Sequence, residues 1–450
     1  MFRKNNLYII FVFMLCIFLT TSCGEKTPPE PPHECTEFEW VIEEPDAKCL
    51  DKVFYDYQCV ECGKVQKVED RIRSHEFTVT EHVDETCTED GHITYSCINC
   101  DYSYEERLAA TGHEKFEYVI IKEATKKTPG TRSRVCSKCR EVMHTSNYVD
   151  NGFSAHGKLS VVGPDLVDSK GEKFQLIGLS THGLQWCGQF IKLGTFEALR
   201  DEFGINVIRL SLYPEEGGYA TESMQSLLYK RLCDGIDYAT ALDMYVLIDW
   251  HMLGENFHAP LAKKFFTELT TKYKGYDNLL FEIFNEPYGD KITTDTCRTY
   301  ANVLIPAIRA NSDGVIIVGG PHWSAELKGW ASNPLPYDNL MYTYHFYAGS
   351  GSGSNVLKTY YNKGLPIFVT EHGGMNSDGD GPVNLENVKQ WWSVMDELNM
   401  SYVAWNISNT KGSASIFKYN TGNYFDVSDA NLKDWGQIYK RHCQEVTGIK

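Results

Sequence analysis

The sequence predicts an α/β protein whose larger part is a (β/α)8 barrel, the TIM-barrel architecture, preceded by small cysteine-containing β-rich repeats. Three observations carry the prediction. From Gly157 onward, short apolar runs of strand type alternate with amphipathic stretches of helical period, and roughly 290 residues of such alternation is the size of one eight-stranded barrel. Polar and aromatic residues gather at the end of each apolar run, where the carboxyl ends of barrel strands build a site. Between residues 33 and 147, cysteines recur at offsets of 38 or 39 residues among few aliphatic side chains, which is the pattern of small repeats and not of one large core.

The barrel elements follow in order. Residues 158–162 and 165–168, separated by Gly163 and Pro164, read as a hairpin that closes the bottom of the barrel. Strands are expected at 174–179, 207–212, 245–250, 279–284, 315–318, 340–345, 367–370 and 402–405, with helical patterns between them such as 223–242, 261–273 and 384–398. The run 279–284 is nearly continuous in apolar residues, as a parallel strand covered on both faces would be. Pro287 is expected to end its pairing where Asn285 and Glu286 appear. The run 365–370 repeats that design and stops on Glu371, with Gly373 and Gly374 behind it. The remaining ends carry His182 and Trp186, Arg209 and Tyr213, Asp249 and His251, His322 and Trp323, His345 and Tyr347, and Trp405.

Two strand-end glutamates on one rim suit glycosidic cleavage. The leaving sugar oxygen must be protonated while a carboxylate on the other side of the ring stabilises or traps the developing oxocarbenium ion, so one carboxyl stays protonated and the other ionised. With these motifs, residues 158–443 resemble the family 5 glycoside hydrolases, most closely the bacterial endoglucanase (cellulase) branch. The resemblance implies a retaining endo-β-1,4-glucanase that cuts internal bonds of cellulose or related β-glucans through a covalent glycosyl-enzyme, with no cofactor for catalysis. Mannan, mixed-linkage glucan and xyloglucan are the alternative substrates on the same fold. The rival from another class is a non-catalytic surface glycan-binding protein, which loss of Glu286 or Glu371 would have signalled; both are present.

The resemblance also implies roles. Glu286 is the acid/base and Glu371 the nucleophile, with Arg209 beneath Glu371 keeping it ionised and Tyr347 donating to it. Asn285 binds the sugar 2-hydroxyl, while His251 and His345 line the cleaved sugar's subsite and influence the proton on Glu286. Trp405 offers an apolar face to that sugar, His182, Trp186 and Tyr213 extend the cleft on the non-reducing side, and Trp323 extends it on the leaving side. Two departures bear on substrate choice. Thr410 and Gly412 stand where the endoglucanase branch commonly has a Lys and a Glu, with Lys411 between them, and His372 stands where a Trp is usual.

Composition sets the wider frame. The chain has 450 residues, 42% of them hydrophobic and 23% charged, which suits a soluble globular protein of two or more domains. Its 27 Tyr, 22 Phe and 9 Trp can stack on sugar faces as well as pack cores. The net charge of −17 argues against nucleic acid or an anionic membrane surface as the main partner, and a monomer is expected. Residues 1–23 read as a signal segment of lipoprotein type, with Arg3 and Lys4 before the apolar run 7–19 and Cys23 as the lipidation candidate. A Pro-rich linker at 24–32 follows, and the cell surface or outer membrane is the expected location, with plain secretion the alternative if the segment is an ordinary signal peptide. Residues 33–147 hold three small repeats and residues 152–450 the catalytic domain.

The repeats match Cys49, Cys59 and Cys62 to Cys87, Cys97 and Cys100, and His75 to His113; the third keeps Cys136 and Cys139 but has Lys126 in the place of Cys49 and Cys87. Structural zinc at Cys59, Cys62, Cys97, Cys100, Cys136 and Cys139, with a His or Cys brought back from elsewhere, accounts for the spacing. Disulfides are the competing account for an exported protein. The repeats resemble short Cys-x-x-Cys repeats of bacterial surface proteins, which implies a spacer or adhesion role. Cys187, Cys233, Cys297 and Cys443 show no metal spacing and read as buried small hydrophobes or one bridge.

Overall fold

Each cysteine-bearing segment folds into a three-stranded antiparallel sheet in the computed structural model, which describes residues 38–40, 49, 52–72, 74–113, 115–125, 128–351 and 353–450. The signal segment, Cys23 and the Pro-rich linker lie outside the described residues. The first sheet joins β1 (Phe38–Trp40), β2 (Lys52–Cys59) and β3 (Val65–Ile72), and the second β4 (Phe77–Val83), β5 (Gly91–Cys97) and β6 (Ser103–Leu108). The third joins β7 (Phe116–Lys122), β8 (Gly130–Cys136) and β9 (Val142–Tyr148). In all three the Cys-x-x-Cys sits on the turn between the second and third strands. The first cysteine's N–H donates back across that turn, Cys59 to Lys64, Cys97 to Tyr102 and Cys136 to Glu141, each at 2.9 Å. Every side chain of β4 is exposed, so sheets of this kind cannot be held by an apolar core alone.

The chain divides into two compact units, Met1–Glu114 and Lys115–Lys450. In the second, the third sheet packs on the helix Leu193–Phe203. Arg132 pairs with Asp201 and Arg134 with Glu197, both at 3.1 Å and largely out of water, while Tyr118 donates to Glu197 at 2.9 Å.

A hairpin of β10 (Ser160–Val162) and β11 (Asp165–Val167) precedes the barrel. The barrel strands are β12 (Ile177–Thr181), β13 (Val207–Leu212), β14 (Tyr245–Trp250), β16 (Leu279–Glu282), β18 (Ile316–Val318), β19 (Leu340–Thr343), β21 (Ile367–Gly373) and β22 (Tyr402–Ile407). They pair in parallel in that order, and β22 returns to β12 to close the circle. Three short strands, β15 (Leu253–Gly254), β17 (Glu286–Pro287) and β20 (Phe346–Tyr347), extend the rim. Helices such as Glu222–Ala241, Ala259–Lys272, Thr294–Arg309 and Leu385–Glu397 lie outside. Two of them start on side-chain caps, Thr293 with Thr296 in a reciprocal box and Asn384 onto the N–H of Asn387.

Side chains alternate across each strand, and the inward row explains the architecture. It is apolar at the bottom, where Leu159 and Leu166 of the hairpin segment pack against Val207, Leu247, Leu280, Ile317, Phe368 and Val403. One pleat higher the same rows turn polar, with Arg209, Asp249, Glu282 and Thr370, all fully buried. The outward rows pack against the helices in the larger core. Cys187, Cys233, Cys297 and Cys443 are all buried and form no bridge. Two expected boundaries move for a physical reason. The first strand begins at Ile177, not 174, because Phe174 and Leu176 belong to the bottom plug. The fourth ends at Glu282, and Pro287 does not end pairing: β17 takes a new parallel partner in β15, with Glu286 N–H donating to Met252 and Tyr288 N–H to Gly254 on either side of the proline.

Candidate active site

Arg209 is the centre of the polar layer. Its guanidinium reaches Glu282 at 2.7 Å, Asp249 at 3.0 Å and Glu371 at 3.1 Å, and donates to Asn285 Oδ1 at 2.6 Å. Four acceptors around one fully buried fork fix the guanidinium plane and spread its charge. Burial would push Glu282 up, but Arg209 holds it down at about 2. Asp249 is held well above the usual carboxylate range by burial, against the pull of Arg209. Of the carboxylates around Arg209, Glu371 alone reaches the cleft.

Glu371 lies on β21, its Oε1 accepting from Tyr347 at 2.8 Å and its Oε2 from Arg209. Burial and the neighbouring Glu371 raise the Tyr347 hydroxyl well above its ordinary value, so it remains a donor. Glu286 stands on β17, where the re-paired backbone carries it past the strand end. One carboxylate oxygen each from Glu286 and Glu371 lie within 4.8 Å of each other and of a ring nitrogen of His345. So close an approach of two glutamate oxygens is in keeping with the short carboxyl separation of retaining pairs, about 5–5.5 Å, more than with the 6.5–9.5 Å or so of inverting ones.

His345 is tied at both nitrogens. Its Nδ1 is 2.9 Å from Glu286 Oε1 and its Nε2 is 3.0 Å from Thr370 Oγ1. The Thr370 hydroxyl donates its only proton to Glu282 at 2.6 Å, so it accepts from His345 Nε2–H. Burial alone would discharge the ring, but Glu282 and Glu286 hold His345 up at about 9. His251 is the opposite case: burial, then Arg209, pushes it down to about 3, and its Nδ1 meets Asp249 at 2.6 Å. The neutral ring stacks on Trp405 at 5.1 Å and on Tyr213 at 4.1 Å.

These rings begin an aromatic wall. Tyr213 meets Trp186 edge-on at 5.0 Å, and His182 bridges Trp186 and Trp405 at 5.4 and 5.3 Å. His182 is pushed down to about 4 by burial and by His251. Trp186 is 44% exposed and forms the outer end. Trp323 lies apart on the other side, half exposed and stacked on Tyr288 at 4.6 Å. It is thrust out by three successive residues in the left-handed region, His322, Trp323 and Ser324, with φ of 55°, 56° and 56°. Such residues cost about 1–2 kcal/mol each, and hydrogen bonds hold the turn: Ser324 Oγ donates to the Asn285 carbonyl at 2.6 Å, and His345 N–H donates to the Ser324 carbonyl at 3.1 Å.

The barrel thus gathers Glu286, Glu371, Arg209, Asn285, His251, His345, Tyr347, His182, Trp186, Tyr213 and Trp405 around one rim, with Trp323 at its edge. Cys59, Cys62, Cys97, Cys100, Cys136 and Cys139 lie in the sheets that precede it. Sequence reasoning gave no role to Glu282, Thr370 or Tyr288. One expectation is corrected. His372 does not face the cleft; it is fully buried behind β21, bonded to the Val403 carbonyl at 2.8 Å and accepting from Trp392 at 3.0 Å. Its difference from the usual Trp therefore has no bearing on the polymer. Thr410 bonds to Ser415 at 2.5 Å, and Lys433 gathers the carbonyls of Thr410, Lys411 and Gly412. Lys411 itself points over Tyr419.

Comparison with known proteins places this geometry in a family. Residues 167–411 match the cellulase (glycosyl hydrolase family 5) family. The chain is 39% identical over 294 residues to endoglucanase A of Butyrivibrio fibrisolvens, covering 63% of this chain and 68% of that one. It is also 39% identical to an endoglucanase of Clostridium saccharobutylicum over 63% of this chain and 64% of that one; it thus spans about two thirds of the length of these relatives. The crystal structure of the catalytic domain of Thermobifida fusca endoglucanase Cel5A superposes with a TM-score of 0.62 at 34% identity, over 65% of this chain and 99% of that one. With that match lying across the strand ends that carry the paired glutamates, the chain belongs to glycosyl hydrolase family 5 and is a glycoside hydrolase.

Proposed function

We propose that the protein is a retaining endo-β-1,4-glucanase acting on cellulose or related β-glucans. The observation that carries this is the pair of rim glutamates with oxygens within 4.8 Å of each other, one hydrogen-bonded by arginine and tyrosine and the other by histidine. Glu371, held by Arg209 and Tyr347, attacks the anomeric carbon. The glycosidic C–O bond breaks as Glu286 gives its proton to the leaving oxygen, and a glycosyl ester forms on Glu371. His345 takes up Oε1 of Glu286, so the proton transferred is the one on Oε2. Glu286, now ionised, removes a proton from a water that attacks the same carbon and frees Glu371. Asn285 binds the 2-hydroxyl, Trp405 faces the cleaved sugar, His182, Trp186 and Tyr213 hold the non-reducing side and Trp323 the leaving side. No group beyond these side chains is needed.

The endoglucanase names of the relatives and the match to the cellulase family favour a glucan over mannan. Export to the cell surface through lipidation of Cys23 rests on the sequence of residues 1–23; among the described residues, no helix is long and apolar enough to cross a membrane. The test of mechanism uses a β-glucoside with an activated leaving group. Glu371→Gln should abolish turnover, whereas Glu286→Gln should accumulate a glycosyl-enzyme seen by mass. If neither variant, or both equally, accumulates it, the role assignment is wrong.

A further inference from the structure

The cysteines of the first compact unit converge in a way that the repeat boundaries conceal. Cys49, which leads into β2, and His75, which lies between β3 and β4, meet Cys97 at the end of β5 and Cys100 on the turn beyond it. One potential ligand atom from each of the four lies within 4.8 Å of all the others. Cys49 Sγ is 3.4 Å from Cys97 Sγ, and Cys100 Sγ is 3.4 Å from His75 Nδ1. A disulfide needs about 2.05 Å between sulfurs. A tetrahedral zinc with Zn–S of about 2.3 Å and Zn–N of about 2.0 Å spaces its ligands about 3.5 to 3.8 Å apart, close to the spacings found.

We propose that Cys49, His75, Cys97 and Cys100 form a structural Zn2+ site that clamps the first repeat to the second. The site is completed by surroundings that a thiolate–imidazole set requires. The N–H of Asn99 points to Cys97 Sγ at 3.4 Å, offsetting negative charge on the sulfur, and the His75 ring is stacked on Tyr102 at 4.5 Å, which fixes its orientation. Binding releases the protons of three thiols and leaves the imidazole neutral. Two ligands come from before β4 and two from the β5–β6 turn, so the metal supplies the link that the exposed strands lack. The same logic explains Lys126. Cys49 of the first repeat serves the Cys-x-x-Cys of the second, and no fourth Cys-x-x-Cys repeat follows the third, where Lys126 holds that place.

The test uses the full chain, with zinc per chain measured by elemental analysis and thiols measured by alkylation without reductant. The natural protein should carry one equivalent more than either Cys97→Ser or His75→Ala. Cys49, Cys97 and Cys100 should resist alkylation until a chelator is added, then react with no reductant present. Cobalt in place of zinc should give thiolate-to-metal charge-transfer absorption that weakens in Cys97→Ser. Thiols that appear only after reduction, or a His75→Ala protein with unchanged metal content, would overturn the proposal. The alkylation measurement needs no variant, so it decides the question even if a substituted chain misfolds.

Discussion

Arg209 donates to Asn285 Oδ1 at 2.6 Å, and that one hydrogen bond determines which end of the amide is available to a sugar. A guanidinium only donates, so the oxygen faces Arg209 and Nδ2 is left as a donor. Nδ2 is buried with no partner among the described residues, an uncompensated donor of the kind that costs about 1–3 kcal/mol when left unpaired. A sugar hydroxyl at this position would satisfy it. Asn285→Ala should therefore lower kcat/KM by roughly ten- to a hundredfold. The same substitution should make almost no difference on a 2-deoxy substrate, and an equal loss on both would place the amide elsewhere on the sugar.

The proton on His345 gives a stability that depends on pH. Its folded value, about 9, lies above the ordinary value of about 6.5, so the contribution is complete below the ordinary value and is lost as pH rises toward the folded one. Melting temperatures of the natural protein and His345→Gln, compared from about pH 6 to about pH 9, should differ most at the acid end and converge at the alkaline end. A constant difference across that range would mean that the ring is not charged in the fold.

The third repeat is expected to matter to the barrel's stability and not to its chemistry. A chain beginning at Asn151 keeps every rim residue and should retain turnover on soluble substrate. It lacks Arg132 and Arg134, which leaves Asp201 and Glu197 with fewer cations. The loss is moderated because water reaches both carboxylates once the sheet is gone and Arg200 still meets Asp201 at 2.7 Å. That chain should melt below one beginning at Lys115. Equal melting would show the ion pairs to be dispensable.

Specificity is expected to follow the loop after β22. Without a carboxylate at Gly412 the enzyme is expected to lean on Trp186 and to discriminate little between cellulose and mixed-linkage glucan. A Cβ at Gly412 would lie 3.4 Å from the Gly379 carbonyl, so a side chain fits. Gly412→Glu should shift the kcat/KM ratio toward plain β-1,4-glucan by roughly ten- to a hundredfold, and Trp186→Ala should weaken both polymers. If neither substitution changes anything, the distal subsite is built from other residues.

Much of the barrel was legible because short apolar runs alternate with stretches of helical period. The runs at 207–212 and 245–250 coincide with β13 and β14, and the paired glutamates stand where strand-end logic puts them. What the sequence hid was direction. Glu282 interrupts an apolar run and reads as tolerated, yet the pleat turns it inward onto Arg209. His372 follows the nucleophile directly and reads as a cleft residue, yet a register irregularity between Val369 and His372 interrupts the alternation and leaves His372 buried against Val403 and Trp392. The proposed metal ligands were harder still, because Cys49 and Cys97 are 48 residues apart and belong to different repeats.

The left-handed turn beneath Trp323 has a consequence for where a polymer is cut. Ser324 joins that turn to the Asn285 carbonyl, one residue before the acid, and to the backbone of His345, which touches the acid. The turn that carries Trp323 and the carboxyl of Glu286 are therefore parts of one hydrogen-bonded frame and not separate loops. If a glucan chain rests on Trp323 as proposed, the sugar on that ring is held at a fixed distance from Glu286.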